Sequence, residues 1–353
     1  MITIKYFKGL PVDYESFLIE RYNSFITTCR YIEVYYSTFN IHYMLVYNEN
    51  QLTDLLIYGI KGTTSTCFNS LADIDQNIMI EFVHNIYENH PFILKINIVA
   101  SYKEYASKKT ILYTKSDDNI LKLPATIEDY YSELGYHVRK NIRNRKVRII
   151  RDFTNVRFIT KYGVDIEEKI IDKIILLNCN RMKHKGKIPG IDAIYKNNIY
   201  KYSRHYGCVN YLEIDGVMVA GCISSIINKR IFLHVIAHDD NYSKYNVGEL
   251  CVFDLIQTSV EKGMSTLHFL WGETELKKRF LAEPHVLYSY YFYKRFSSDY
   301  ILENVNVRFS DLWIKIKHSK YCVPIRDGIK YYRIKKLKHN PDKQNKPIVT
   351  ETA

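Results

Sequence analysis

The chain has 353 residues and no Cys-x-x-Cys pair. Its seven cysteines, at positions 29, 67, 179, 208, 222, 251 and 322, are scattered and odd in number. That pattern excludes a zinc ribbon and a disulfide framework, and it fits a reducing compartment. Cys222 and Cys251 sit inside apolar runs, where cysteine behaves as a small hydrophobe. No apolar run approaches the ~20 residues that a membrane-spanning helix needs. The opening MITIKYFKGLPVDYESF is interrupted by charges and proline, so it does not read as a secretory signal. The expectation is a soluble, cytoplasmic protein without a membrane span and without a bound metal.

What is present is an ordinary globular composition, with 46% hydrophobic and 25% charged residues. The length suits two domains. The 32 tyrosines accompany abundant Ile, Asn and Lys, which reads as coding bias before it reads as function. The net charge of +12 is local. Seven Lys/Arg and no acid lie between His137 and Arg151, and eleven Lys/Arg face three acids between Lys315 and Glu351. The first stretch reads as a basic helix, open either to phosphate binding or to plain solvation. The end of the second, KHNPDKQNKPIVTETA, has no periodicity and reads as a disordered tail. No motif for polynucleotide binding accompanies these charges.

Val209 to Phe280 carries the densest pattern. VNYLEI runs into Asp215-Gly216, VMVAGCISSII into Asn228-Lys229-Arg230, and IFLHVIAHDD into YSKYNVG. These are β-branched runs with hairpin punctuation, hence antiparallel strands. A helical run from Glu249 to Lys262 and the apolar strand STLHFLW then form a crossover that places the last strand beside the third. The amino-terminal third repeats the order. Glu33 to Tyr47 and Leu52 to Ile60 read as strands, Asp73 to Asn89 as a helix, and FILKINIVA after Pro91 as a strand. Tyr102 to Ala125 reads as the linker, and the stripe at 166, 170, 174 and 177 as a helix packed on the second sheet.

These elements resemble the GNAT acyltransferase superfamily, in particular its cellulose- and polysaccharide-biosynthesis branch, related to the Fem ligases. The likeness spans roughly residues 121 to 300. It rests on Gly216-Val217-Met218-Val219-Ala220-Gly221, the strand tip His238-Asp239-Asp240, the turn Tyr242 to Gly248, Trp271-Gly272 with Lys277, and the upstream LPATIEDYYSELGYHVRKNIRNRKVRII. The implied fold class is α/β (α+β): tandem GNAT-like domains, each a mixed, mainly antiparallel sheet flanked by helices. Residues 1–120 would be a degenerate copy, since no phosphate-turn glycine lies between Thr63 and Asp73. Residues 121–320 would be the catalytic domain and 321–353 a basic, partly disordered tail.

The resemblance implies acyl-CoA as co-substrate and a small amino sugar, nucleotide-linked, as acceptor, with no metal and no nucleic acid. Its pyrophosphate turn would be Ser243, Lys244, Tyr245, Asn246, Val247 and Gly248, with pantetheine along Ile236 and His238. Of the turn glycines usual in that family only Gly248 is kept; Asn246 stands in for another, and Asn enters the left-handed region readily. Asn246 with Glu249 could equally form a capping box, which would leave a poorer anion site. Two-by-two alternation puts Phe232, His234, Ile236 and His238 on one face, against an apolar face of Ile231, Leu233, Val235 and Ala237. His234 falls where a general base is expected, with His268 as a second candidate and Tyr291 as the acid for the thiolate. Trp271, Glu273, Lys277 and Arg279 are the expected substrate contacts. Two other function classes stay open: a Fem-like aminoacyl-tRNA-dependent transferase, although no heptad arm is present, and a non-enzymatic anion- or nucleic-acid-binding module.

Overall fold

The computed structural model describes residues 2–105, 110–271 and 275–294. In chain order the first half is β1 (Ile2–Lys8), α1 (Glu15–Tyr22), α2 (Cys29–Tyr35), β2 (Asn40–Asn48), β3 (Gln51–Lys61), β4 (Thr64–Cys67), α3 (Gln76–Asn89) and β5 (Lys95–Ser101). Then come β6 (Thr110–Lys122), α4 (Ile127–Glu133) and α5 (Tyr136–Asp152). The second half is β7 (Val156–Tyr162), α6 (Glu168–His184), α7 (Ala193–Tyr206), β8 (Gly207–Ile214), β9 (Val217–Ile227), β10 (Arg230–His238), α8 (Val247–Glu261) and β11 (Thr266–His268). The short α9 (Glu275–Arg279) and β12 (Glu283–Tyr293) close the described chain.

Both halves have one topology. β1 to β4 pair antiparallel in sequence and β4 pairs β5 parallel; β7 to β10 pair antiparallel in sequence and β10 pairs β11 parallel. A helix pair separates the first two strands of each half, and a single crossover helix, α3 or α8, separates the last two. This is the expected tandem arrangement, a mixed and mainly antiparallel sheet flanked by helices.

The halves exchange a strand. β6, which follows the first half, pairs with β11, whereas β12, which follows the second, pairs with β5. β6 and β12 also pair with each other, from Glu283 opposite Ile120 to Phe292 opposite Thr110. The result is one twelve-stranded sheet in the order β1-β2-β3-β4-β5-β12-β6-β11-β10-β9-β8-β7. No break in the sheet falls at residue 120, because β6 and β12 bind each half to the other.

Local sequence explains most elements. Asp215 (φ 48°) and Gly216 (φ 83°) form the tight turn between β8 and β9, and Glu49 (φ 50°) and Asn50 (φ 68°) that between β2 and β3. Gly221 on β9 lets α6 lie close: a Cβ there would come within 2.5 Å of Ile174. Ile170, Ile171, Ile174 and Ile175 are the buried stripe of α6.

Two readings are corrected. Glu33 to Tyr35 belong to α2, whose N-cap Thr28 accepts from the Tyr31 amide. The supposed linker Tyr102 to Ala125 contains β6, the longest strand. Its polar Asp118 and Asn119 are buried and bonded to β11 and the chain that leaves it, so tertiary partners hold a strand where the local residues favour none.

Because the two halves share their central strands, calorimetry should show a single unfolding transition with equal calorimetric and van't Hoff enthalpies. Two separated transitions would contradict this architecture.

Candidate functional site

The site is built around an irregular β10. Along one edge β10 pairs with β9, but along the other it pairs with β11 only from Arg230–Phe232 to Thr266–His268. Past His268 the chain turns toward β6: the Phe269 amide bonds the Asn119 carbonyl at 2.8 Å, and Leu270 adopts φ 55°. The edge of β10 beyond Phe232 is thereby freed. The β10–β9 register skips at His234, a bulge that re-aims the side chains on either side.

The bulge corrects the simple alternation. Ile231 and Leu233 pack toward α8, whereas Val235 and Ala237 pack toward α6. Phe232 and His234 therefore face the α1–α2 side of the sheet, and Ile236 and His238 lie toward α8. The Ile236 carbonyl accepts from Arg181 Nη2 at 3.0 Å and from Asn178 Nδ2 at 3.4 Å.

At the end of β10 a short 3-10 turn, Asp240–Tyr245, leads into α8. Asn246 is left-handed (φ 51°, ψ 47°), and its side chain makes no cap bond, so the capping box does not form. The Asn246 carbonyl takes the amides of Glu249 and Leu250. The amides of Val247 and Gly248 have no carbonyl partner among the described hydrogen bonds. A Cβ on Gly248 would come within 2.7 Å of His238 Nδ1. That nitrogen and Arg181 Nε are both buried without a partner. Glu249 bridges two guanidiniums, Arg145 of α5 and Arg279 at 2.9 Å. Tyr245 and Val247 are buried, which leaves the turn's backbone and the exposed Ser243, Lys244 and Asn246 to meet a ligand. The equivalent end of α3 differs: its N-cap Asp75 accepts from the Asn77 amide at 2.8 Å and occupies that terminus itself.

Beside the bulge lies a cavity of ≈ 160 Å³ lined by Phe25, Tyr31, Tyr35, Tyr195, Tyr202 and Trp271, with His234 and Ser224 in its wall. Among the described residues no acid, lysine or arginine lines it. Burial pushes the Tyr31, Tyr35, Tyr195 and Tyr202 hydroxyls up, so they stay protonated. His234 Nε2 lies 2.8 Å from Ser225 Oγ, and its ring meets Phe25 edge-on at 4.7 Å. Burial lowers its pKa to about 4.

His268 is differently held. Its Nδ1 donates to Asp118 Oδ2 at 2.7 Å, and Asp118 also accepts from the Tyr102 hydroxyl at 2.7 Å and the Leu270 amide at 3.1 Å. The carboxylate fixes the tautomer and leaves Nε2 as the acceptor, 3.2 Å from Thr266 Oγ1.

Other expected contacts lie elsewhere. Lys277 is buried and donates to the Leu270 and Trp271 carbonyls at 2.9 and 2.7 Å, so it braces the turn instead of reaching for a substrate. Burial lowers its pKa, with Asp118 opposing. Tyr291 cannot serve as the acid here. β12 runs from Glu283, level with His268, toward the first half, and carries Tyr291 about 26 Å along the strand. There Lys95 Nζ sits 3.5 Å over its ring. Glu273 lies outside the described residues.

Sequence reasoning missed Asp118 and Tyr102, and the aromatic residues of the cavity other than Trp271. The spacing of Tyr195, Ile199, Tyr202 and Tyr206 was the available signal for the α7 wall, a helical stripe. Among the described residues no group of three or more His, Cys, Asp or Glu stands where it could hold a metal, and no helix is long and apolar enough to cross a membrane.

Residues 203–278 match the model of the acetyltransferase (GNAT) domain. That stretch contains β8 to β11, the bulge and the start of α8. A crystal structure of FemX superposes with a TM-score of 0.61 at 9% identity, covering 82% of this chain and 97% of that one. A conserved protein of unknown function from Bacteroides thetaiotaomicron gives 0.53 at 13% identity, covering 82% and 99%. Curated protein sequences yield no match. The fold is therefore GNAT-like, and the stretch that matches the acetyltransferase domain model lies in the second half.

His234 has an ordinary value of 6.5 and a folded value of about 4. Below pH 6.5 the unfolded chain binds a proton that the folded one refuses, so stability is present above 6.5 and is lost as pH falls toward about 4. The full loss from this one group is on the order of 3 kcal/mol. Melting curves between pH 7 and 4.5 should fall less steeply for His234→Gln than for the parent; parallel curves would refute the assignment.

Proposed function

We propose that the chain is an acyl-CoA-dependent N-acyltransferase acting on the amine of a nucleotide-linked amino sugar, in the building of a surface polysaccharide such as O-antigen or capsule. The observation that carries this reading is the opening between β10 and β11, with the uncapped end of α8 at one extremity and the aromatic cavity beside it. It lies inside the segment that matches the acetyltransferase domain.

The residues fit the co-substrate's diphosphate. Two free amides, the helix dipole and the unpartnered His238 Nδ1 meet at the start of α8. Glu249 does not spoil the balance, because two guanidiniums neutralise it. Acyl-CoA supplies an activated carbonyl, and the protein orients an amine toward it. The aromatic walls offer rings on which a pyranose stacks, and their lack of charge disfavours an ammonium, so the acceptor's amine loses its proton more readily there. His234, neutral at working pH, is the proton acceptor in the wall.

A Fem-like reading, aminoacyl transfer from a charged tRNA, is favoured by one feature: the exposed Lys140 and Arg143 on α5, the helix that meets α8 through Arg145 and Glu249. Assays with acyl-CoA and with aminoacyl-tRNA over a panel of amine acceptors separate the two.

Gly248→Asp adds bulk against His238 and a negative charge where phosphates approach. CoA affinity measured by calorimetry should fall by about tenfold or more while the melt shows the fold retained; unchanged affinity removes this site. His234→Ala should lower kcat by ~10² with CoA affinity retained. Because His234 stays unprotonated down to about pH 4, the parent's kcat should rise between pH 6 and 8 only as the acceptor ammonium ionises. A further enzyme group titrating in that range would take the role from His234.

A further inference from the structure

A second cavity, ≈ 580 Å³ in volume, opens on the same side of the sheet where the two halves meet. α1 contributes Arg21 and Tyr22, the first half Tyr102, and the central strands Lys122, Arg230 and His268. Phe25 against Phe232, with centroids 5.0 Å apart, lies at its border with the aromatic cavity. The two spaces have opposite chemistry, one uncharged and one cationic.

The charges do not cancel inside this cleft. Arg21 is paired with Asp54 at 2.8 Å, and Asp73 with Lys103 at 3.7 Å. Arg230 is half-buried, and its guanidinium meets Asn23 through the backbone carbonyl at 3.5 Å and, with the amide correctly oriented, the side-chain oxygen at 3.0 Å. Among the described residues no carboxylate comes within ion-pair distance of Arg230 or Lys122. Asp118, the nearest buried anion, is fully engaged by Tyr102, His268 and Leu270. A half-buried guanidinium without a counter-ion is costly unless an anion arrives, and its planar fork matches a phosphate. The cleft also has the size of a small-molecule site and offers the tyrosines Tyr22, Tyr102 and Tyr288 beside the cations.

We propose that this cleft binds a small organic phosphate of nucleotide size, its phosphate held by Arg230 with Arg21 and Lys122 and its ring against the tyrosines. The site is separate from the start of α8 and does not rest on the transferase reading. The buried Asp118 beneath it holds His268 through Nδ1 and turns Nε2 toward Thr266 at the cleft wall.

The test is calorimetric titration of the full chain with uridine diphosphate, and separately with inorganic pyrophosphate, at low and high salt. Both should bind, more weakly as salt rises. Arg230→Gln should weaken uridine diphosphate by about tenfold or more, and Gly248→Asp, which disables the α8 terminus, should leave it within about twofold. Should Arg230→Gln fail to fold, the exposed Lys122→Gln reports the same site, with a roughly threefold loss and a shallower salt dependence. Absence of binding by either probe at about 1 mM overturns the proposal. So does binding that survives both cation variants or disappears in Gly248→Asp.

Discussion

The antiparallel pairing of β6 with β12 is the contact on which the rest depends. It joins residues on opposite sides of the second half in sequence, from Glu283 against Ile120 to Phe292 against Thr110. Without it β12, held on β5, and β6, held on β11, would each be a raw sheet edge, prone to intermolecular pairing. With it the sheet runs unbroken from β1 to β7, and the place where β10 and β11 part is where the candidate chemistry lies. The continuous sheet on either side makes that opening a stable feature of the fold.

The exchanged strands also hold strained turns. Leu270 (φ 55°), after β11, has its amide bonded by Asp118 of β6, and Ala100 (φ 52°), at the end of β5, has its amide bonded by Ser289 of β12. Each half's last strand is thus bent by a side chain borrowed from across the centre. Left-handed backbone at a residue with a side chain costs on the order of 1 kcal/mol or more, and it persists only where the surroundings over-determine it. In the second half the same carboxylate also fixes His268. In the first half Asp75 occupies the end of α3, and Asn69 fills the interior by bonding the Ile57 amide and the Leu55 carbonyl. The two copies therefore share a backbone and differ at the helix end, where one is self-capped and the other open.

Much of the second half was legible in the sequence because its hairpins, its crossover and its Ala220-Gly221 contact are local or nearly so. The bulge at His234 was not, since an extra residue in a strand leaves the apolar alternation looking intact while the structure splits it between two cores. β6 was hidden for a related reason: Asp118 and Asn119 do not favour a strand locally, and the partners that hold them in one lie 150 residues away. Tyr291 was misplaced by the same exchange, because adjacency in sequence to β11 does not imply adjacency to the site once β12 runs the other way. The aromatic cavity draws on α2, α7 and the end of β11, so no single window of sequence contains it.

The order in which the ribosome releases the strands sets a constraint of its own. The first half is fully synthesised by residue 101, yet the neighbour of its last strand, β12, is not made until residues 283–293. During that interval β5 is a nascent edge, and β6 has no mate until β11 is made at residues 266–268. Native closure waits for nearly the whole described chain, and the emerging first half presents a sticky strand to any other nascent copy, or to a chaperone that covers it.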